Sequence, residues 1–208
     1  MKDLVILGTD VHGLEMAEIV ERVNRVIPTW NLLGYIAADA KKVGQELNGY
    51  PVLGTKEKIA ELPNACLVPA YGAGWKMEVP RERLVSLIDP SAFVSRMAQI
   101  GAGCVIFPNC YIGLRARLGD YVFCLSGCSI NHDDAIGDRV VLASGVHLAG
   151  HTHVEADCYL GQGCTIRQHI RVGRGSLIGM GAVVVKDVPP NTVVVGNPAR
   201  KLRDAQKA

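Results

Sequence analysis

Asn131-His132-Asp133-Asp134 is the densest polar run in the carboxyl half of the chain. An imidazole at His132 can take a proton from an amine or hydroxyl near neutral pH. Asp133 can orient that ring and favour the imidazolium as it forms. A solvated polar corner is the competing reading of the same pair. A second grouping, Gly8-Thr9-Asp10-Val11-His12-Gly13, follows a short apolar run near the amino terminus. Backbone N–H groups at a helix start there would suit a phosphate. The turn lacks the middle glycine of the dinucleotide fingerprint, so an ordinary tight turn accounts for it equally well.

These residues need a scaffold, and repetition supplies one. Every sixth residue from Val94 to Val184 is apolar, sixteen positions without a miss. With half the residues apolar, chance produces such a run roughly once in 10⁵. A period of six fits neither a helix nor a heptad. It fits short strands joined by tight corners, each strand sending one large apolar side chain inward. Residues two before each anchor share its face, and most are small, including Cys104, Cys110, Cys128, Cys158 and Cys164. With Cys124 at an anchor, six of the seven cysteines read as small buried hydrophobes. Glycines often follow the anchor, at 101, 113, 119, 137, 161, 173 and 179. They are expected to supply unusual backbone angles at the corners. This is the hexapeptide-repeat signature of a parallel β-helix. Three hexads close one triangular coil, giving about five coils and a prism roughly 25 Å tall, with ends that need caps.

Steps of eighteen then sort the polar residues into columns. His132, Gly150, Gln168 and Lys186 form one, in which a glycine above the base lets a ligand approach the backbone and a lysine can meet a phosphate. Asp133, His151 and His169 form the next. Asp134 falls in the inward column, where a carboxylate is costly, and Thr152 one coil on is its expected partner. Pairs His147/His151 and His151/His153 have spacings of four and two. The spacing of five used by the zinc-binding γ-class carbonic anhydrases is absent, and no metal is expected. Arg167, Arg171 and Arg174 read as a solvated face, with a diphosphate contact as the alternative.

Before the repeat, Lys2 to Leu7 reads as a buried strand. Helical periodicity follows at Leu14, Ala17, Val20, Val23 and Ile27, ended by Pro28. Leu32 to Ala37 is expected to be a strand, Thr55 to Leu62 a helix and Cys66 to Pro69 a third strand. A βαβ start of this kind implies a small parallel sheet. Composition excludes other classes: 208 residues, 49% hydrophobic, with a net charge of +2, are too apolar for disorder. The same balance argues against nucleic acid as partner. No apolar run approaches the ~20 residues that span a bilayer. Free thiols without a CxxC pair point to a reducing, cytoplasmic setting.

Along almost its whole length the chain resembles the bacterial sugar acyltransferases, relatives of sialic acid O-acetyltransferase and of bacillosamine and perosamine N-acetyltransferases. The resemblance rests on Gly8-x-x-x-His12-Gly13, Gly34-Tyr35-Ile36, Gly49-Tyr50-Pro51-Val52-Leu53-Gly54, Ile130-Asn-His132-Asp133 and Leu148-Ala-Gly150. It continues at Gly179-Met-Gly-Ala-Val-Val-Val-Lys186-Asp-Val-Pro and Gly196-Asn-Pro-Ala-Arg200-Lys-Leu. It implies a Rossmann-like domain for nucleotide-sugar binding over residues 1–88. A left-handed β-helix acyltransferase domain with a C-terminal cap would then fill 89–208. It also implies a homotrimer, with acetyl-CoA in grooves between neighbouring β-helices. By the same resemblance His132 is the general base and Asp133 its acidic partner. Gly150, Gln162, Met180 and Lys186 would lie along the CoA, and Asp10, Val11, His12 and Asp39 at the nucleotide-sugar. The chain departs from the family pattern at Ala37-Ala38, where an Asp pair is usual, and at Leu125 and Val141. Those departures motivate one alternative, acyl transfer to a non-sugar amine or alcohol such as an amino acid; another, of a different class, is a non-catalytic trimeric scaffold that binds a nucleotide-sugar.

Overall fold

The computed structural model describes residues 1–72 and 74–205. Ala73 and the last three residues of the expected second domain lie outside the described residues. The chain divides into two compact units: Met1–Pro90 with Ala102–Val105, and Ser91–Gly101 with Ile106–Ala208.

In the first unit, β1 (Lys2–Leu7) is followed by α1 (Val11–Val26) and β2 (Trp30–Ile36). Then come β3 (Glu46–Leu47), β4 (Tyr50–Gly54) and β5 (Cys66–Pro69). The sheet order is β3-β4-β2-β1-β5, parallel except for β3. Leu4 to Leu7 are fully buried, as a central strand flanked on both sides requires. The helix buries Gly13, Met16, Ala17, Ile19 and Val20. Its stripe is thus rotated from the expected one, and Ile27 is 66% exposed. Ile27 precedes Pro28 and takes an extended conformation, φ −143° and ψ 116°. The helix expected at Thr55–Leu62 is a 3₁₀ segment over Lys56–Glu61, with i→i+3 bonds such as Lys58 N–H to Thr55 O. Six residues stopped before Pro63 are too few to nucleate an α-helix. The β3–β4 hairpin adds two strands to those expected, with Pro51 inside β4. Buried Asp89 accepts from the Arg22 guanidinium at 2.6 and 3.0 Å, which fixes α1 to the end of the unit.

The second unit is a β-solenoid whose parallel strands step by eighteen residues. Phe93–Val94, Tyr111–Ile112, Ser129–Ile130, His147–Leu148, Thr165–Ile166 and Val183–Val184 form one face. The other two faces are built the same way. Every anchor from Ile106 to Val184 is 5% exposed or less, while Val94 and Ile100 are half-buried. The inner thiols sit in this dry column. Burial pushes Cys158 up to about 11 and Cys164 up to about 12, so both stay protonated and unreactive.

Corner geometry overturns the expected role of the glycines. Those directly after the anchors do not adopt positive φ; they are required for room. A Cβ on Gly137 would stand 2.5 Å from the Ala156 nitrogen, and one on Gly161 2.6 Å from that of Met180. Left-handed angles occur instead three residues after the anchor, at every sixth residue from Gly103 to Gly181. Each of the three prism edges has its own composition. One carries Gly103, Tyr121, Arg139, Asp157 and Gly175; a second carries Asn109 and then Gly127, Gly145, Gly163 and Gly181. The third carries Arg115, Asp133, His151 and His169, with no glycine. At these corners the left-handed amide donates down to the previous coil, as Asp133 N–H does to Leu114 O at 2.9 Å.

Past Val184 the step shortens. Ile178 pairs with Val194 and Val172 bridges Val188, sixteen residues apart. The count that put Lys186 above His132 therefore fails, because two residues are missing from that corner. Strand Arg200–Asp204 then folds back antiparallel on Thr192–Val195. Among the described residues no helix is long and apolar enough to cross a membrane.

Candidate active site

On the glycine-free edge, the His132 side chain is 56% exposed and that of Asp133 21%. His132 Nδ1 lies 2.9 Å from Asp133 Oδ2. An ionised carboxylate only accepts, so Nδ1 carries the proton and Nε2 keeps its lone pair. Arg115, one coil below, donates to the same carboxylate twice, Nε to Oδ1 at 2.6 Å and Nη2 to Oδ2 at 2.9 Å. With the guanidinium first and His132 second, these bonds hold the Asp133 carboxyl well below the usual carboxylate range. His151, one coil above, approaches Oδ2 with Nε2 at 3.8 Å. Its ring meets His132 edge-on at 5.1 Å and stacks on His169 at 4.9 Å.

Gly150 makes room for the base: a Cβ there would lie 2.6 Å from Cε1 and Nε2 of His132. The space above the glycine thus seats the imidazole. Behind the ring, Asp134 is fully buried and accepts from the Thr152 and Asn131 amides, both at 2.7 Å. Thr152 is the expected partner, but through its backbone; its hydroxyl donates to Ala149 O. Burial pushes Asp134 up to about 7, and the two amide bonds oppose that rise. Asn131 Nδ2 donates to Leu148 O, so the whole corner is tied to the next coil.

Ligand atoms of His132, Asp133 and His151 lie within 4.8 Å of one another. The Arg115 guanidinium already sits on that carboxylate and would repel a cation there.

The remaining site residues separate into distinct places. Gln162 and Met180 line a cavity of about 480 Å³ with Leu125, Tyr159, Gly161 and Gly179. This hollow follows the glycine edge. Lys186 lines another of about 270 Å³, with Arg200 and Lys201. A third, of about 410 Å³, is bounded by Ala149, Arg167, Gln168 and His169. Arg171 and Arg174 are otherwise engaged, by Glu155 and by Asp157. Val141 is buried, 4% exposed.

In the first unit Asp10 caps α1, its Oδ1 accepting from Gly13 N–H at 3.1 Å. Val11 is 62% exposed, and His12 Nδ1 is 3.2 Å from Glu15. Gly13 is obligatory because a Cβ would meet Gly8 O at 2.5 Å. Asp39 caps the short turn Ala40–Lys42, and Lys42 Nζ reaches back to Thr9 O at 2.9 Å. The structure therefore brings Asp10, Val11, His12 and Asp39 to one end of the sheet. A pocket of about 250 Å³ nearby is lined by Ala37, Ala38, Thr55, Lys56 and Lys76. Sequence reasoning missed Arg115, Lys42 and Lys56. Counting eighteen down from Asp133, not only up, finds Arg115.

Neither a protein-family model nor a curated protein sequence matches the chain. Solved structures do. The acetyltransferase domain of PglB from Neisseria gonorrhoeae in complex with acetyl coenzyme A is 29% identical with a TM-score of 0.84, over 97% of this chain and 99% of that one. PerB from Caulobacter crescentus in complex with CoA and GDP-perosamine is 25% identical with a TM-score of 0.84, over 97% of each chain. WeeI from Acinetobacter baumannii shares the fold, with a TM-score of 0.75 at 24% identity, over 96% of this chain and all of that one. The solenoid matches a left-handed β-helix.

Proposed function

We propose that this chain, similar in fold and sequence to bacterial sugar acetyltransferases of the hexapeptide-repeat superfamily, acetylates an amino group of a nucleotide-linked sugar, with acetyl-CoA as donor. His132 Nε2 takes a proton from the acceptor amine as the nitrogen attacks the thioester carbonyl carbon. The tetrahedral intermediate collapses, the C–S bond breaks, and the proton on His132 passes to the CoA sulfur. Asp133 holds the Nδ1 proton throughout and offsets the charge of the transient imidazolium. Backbone amides near the imidazole, other than those of the left-handed corners, are the candidate donors to the oxyanion. Acetyl-CoA lies along the cavity lined by Gln162 and Met180, where the glycine edge exposes bare backbone. Gly150 serves the same site by seating the base, and Lys186 offers a cation for a CoA phosphate.

In this reading residues 1–88, within the first unit, are the Rossmann-like acceptor domain. The start of α1 suits the nucleotide's phosphates, with Asp10, Val11, His12 and Asp39 around it. The working form is a homotrimer. One observation carries the proposal: an exposed imidazole fixed on Nδ1 by a carboxylate and slotted over a glycine, in the solenoid that also carries a cavity of about 480 Å³. The test is thiol release from acetyl-CoA with a panel of nucleotide-linked amino sugars and free amino acids. Release with a nucleotide amino sugar is expected. Release only with amino acids, or none with any acceptor, would overturn it.

A further inference from the structure

We infer that Arg115 is a positioning residue for the His132–Asp133 pair: it holds the Asp133 carboxylate turned towards His132 and away from His151. The inference rests on the acyl-transfer reading above. Arg115 and Asp133 occupy successive left-handed corners of one edge, with φ of 58° and 62°, so their side chains leave the prism at the same place one coil apart. A planar guanidinium matches a carboxylate in a two-point fork, which fixes the plane of the acceptor as well as its position. Here the fork takes Oδ1 at 2.6 Å and Oδ2 at 2.9 Å. Oδ2 is then aimed at His132 Nδ1, also at 2.9 Å.

The carboxylate has a competitor for that bond. His151 Nε2 stands only 3.8 Å from Oδ2, on the coil above. Rotation of an unforked Asp133 would pair it with His151 and leave His132 Nδ1 without a fixed acceptor. The neutral ring would then divide between its two tautomers, and the one with Nδ1 bare cannot use Nε2 as base. Asp134, the other acidic neighbour, cannot take over, because its oxygens are engaged by the Asn131 and Thr152 amides.

The solenoid contains its own control. Arg139 and Asp157 are likewise one coil apart at left-handed corners of a different edge, joined Nε to Oδ1 at 2.7 Å. None of the corner residues on that edge is a histidine. If such pairs only staple coils together, Arg115→Gln and Arg139→Gln should behave alike.

The experiment compares Arg115→Gln, Arg115→Lys and Arg139→Gln with the unaltered protein. Nitrogen-15 imidazole spectra in alkaline buffer are used, with the His132 signals identified by their loss in His132→Ala. The unaltered protein and Arg139→Gln should show a single Nδ1–H tautomer at His132; Arg115→Gln should show a mixture, and Arg115→Lys an intermediate. In turnover assays Arg115→Gln should lose about 10–100-fold in kcat with KM for acetyl-CoA within about twofold. A single tautomer in Arg115→Gln, or equal loss of kcat in Arg115→Gln and Arg139→Gln, overturns the inference. If Arg115→Gln fails to fold, the tautomer in Arg115→Lys decides. If the unaltered protein transfers no acetyl group to any nucleotide amino sugar, the functional reading fails, and the spectra still decide the role of Arg115.

Discussion

Two edges of the same prism solve the left-handed corner in opposite ways. One does so mainly with glycine, at 127, 145, 163 and 181, and presents bare backbone. The other uses Arg115, Asp133, His151 and His169, and presents four polar side chains at the same φ. A side chain in that conformation costs about 1–2 kcal/mol per residue relative to its relaxed state. The glycine edge avoids the cost and, with its corner amides bonded to the coil below, keeps side chains out of the way beside the cavity of Gln162 and Met180. The polar edge accepts it at each of those corners, and there an imidazole, a carboxylate and a guanidinium meet within hydrogen-bond distance. Of these two edges, one bears the strain and carries the side chains of the site, and the other gives up side chains at four corners.

Substitutions can break that comparison. The largest effect is expected at the polar edge: His132→Ala should lower turnover by about 10²–10⁴-fold with thermal stability retained, measured by thiol release and calorimetry. Wild-type-like turnover in this variant would reject the assigned base. Next comes Gly150→Ala, whose methyl would occupy the seat of the ring, 2.6 Å from Nε2. Displacing the base should cost about 10–100-fold in kcat; an unchanged kcat would mean that the seat is not used in the reaction.

Glycines of the two kinds should then separate in denaturant titrations. Gly137→Ala forces a methyl onto backbone 2.5 Å away and should destabilise by about 2–3 kcal/mol. Gly127→Ala meets nothing within 4 Å and carries only the conformational cost, about 1 kcal/mol. Equal losses would refute the division of roles.

The smallest effect concerns Asp134. Its carboxyl is pushed up to about 7 in the folded chain, above its unfolded value, so the folded state binds the proton more tightly. Stability from this group is present at acid pH and lost as pH rises towards 7. Asp134→Asn lacks that slope and leaves an amide donor facing a backbone N–H. It should be less stable than the parent, by of order 1 kcal/mol, with the gap widest below about pH 4, the unfolded carboxyl's range, and narrowing as pH rises towards 7. A gap that widens with pH would reverse the assignment.

The solenoid was legible because each coil repeats one packing problem: an inward aliphatic every six residues has few other solutions. What a glycine is for was not legible. Lack of a side chain serves close approach and left-handed φ equally, and only coordinates show that Gly137 needs the first and Gly127 the second. Arg115 escaped notice for a related reason. Its type fits any solvated face, and only the eighteen-residue step places it under Asp133. In the first unit, β1 and β5 are apolar runs that read as strands on their own. Tyr50–Gly54 becomes one through its neighbours: Gly34 makes room for the Pro51 carbonyl, which would lie 2.2 Å from a Cβ there.

The two residues missing after Val184 also bear on how the stack of coils ends. A stack of identical rungs has no intrinsic end, and its last open strand is a template on which another chain can add. Changing the spacing from eighteen to sixteen, then turning Arg200–Asp204 back antiparallel on the final strand, replaces the repeating parallel rung with one of different register and direction. A deletion that costs the prism its symmetry thereby works against the addition of another identical coil.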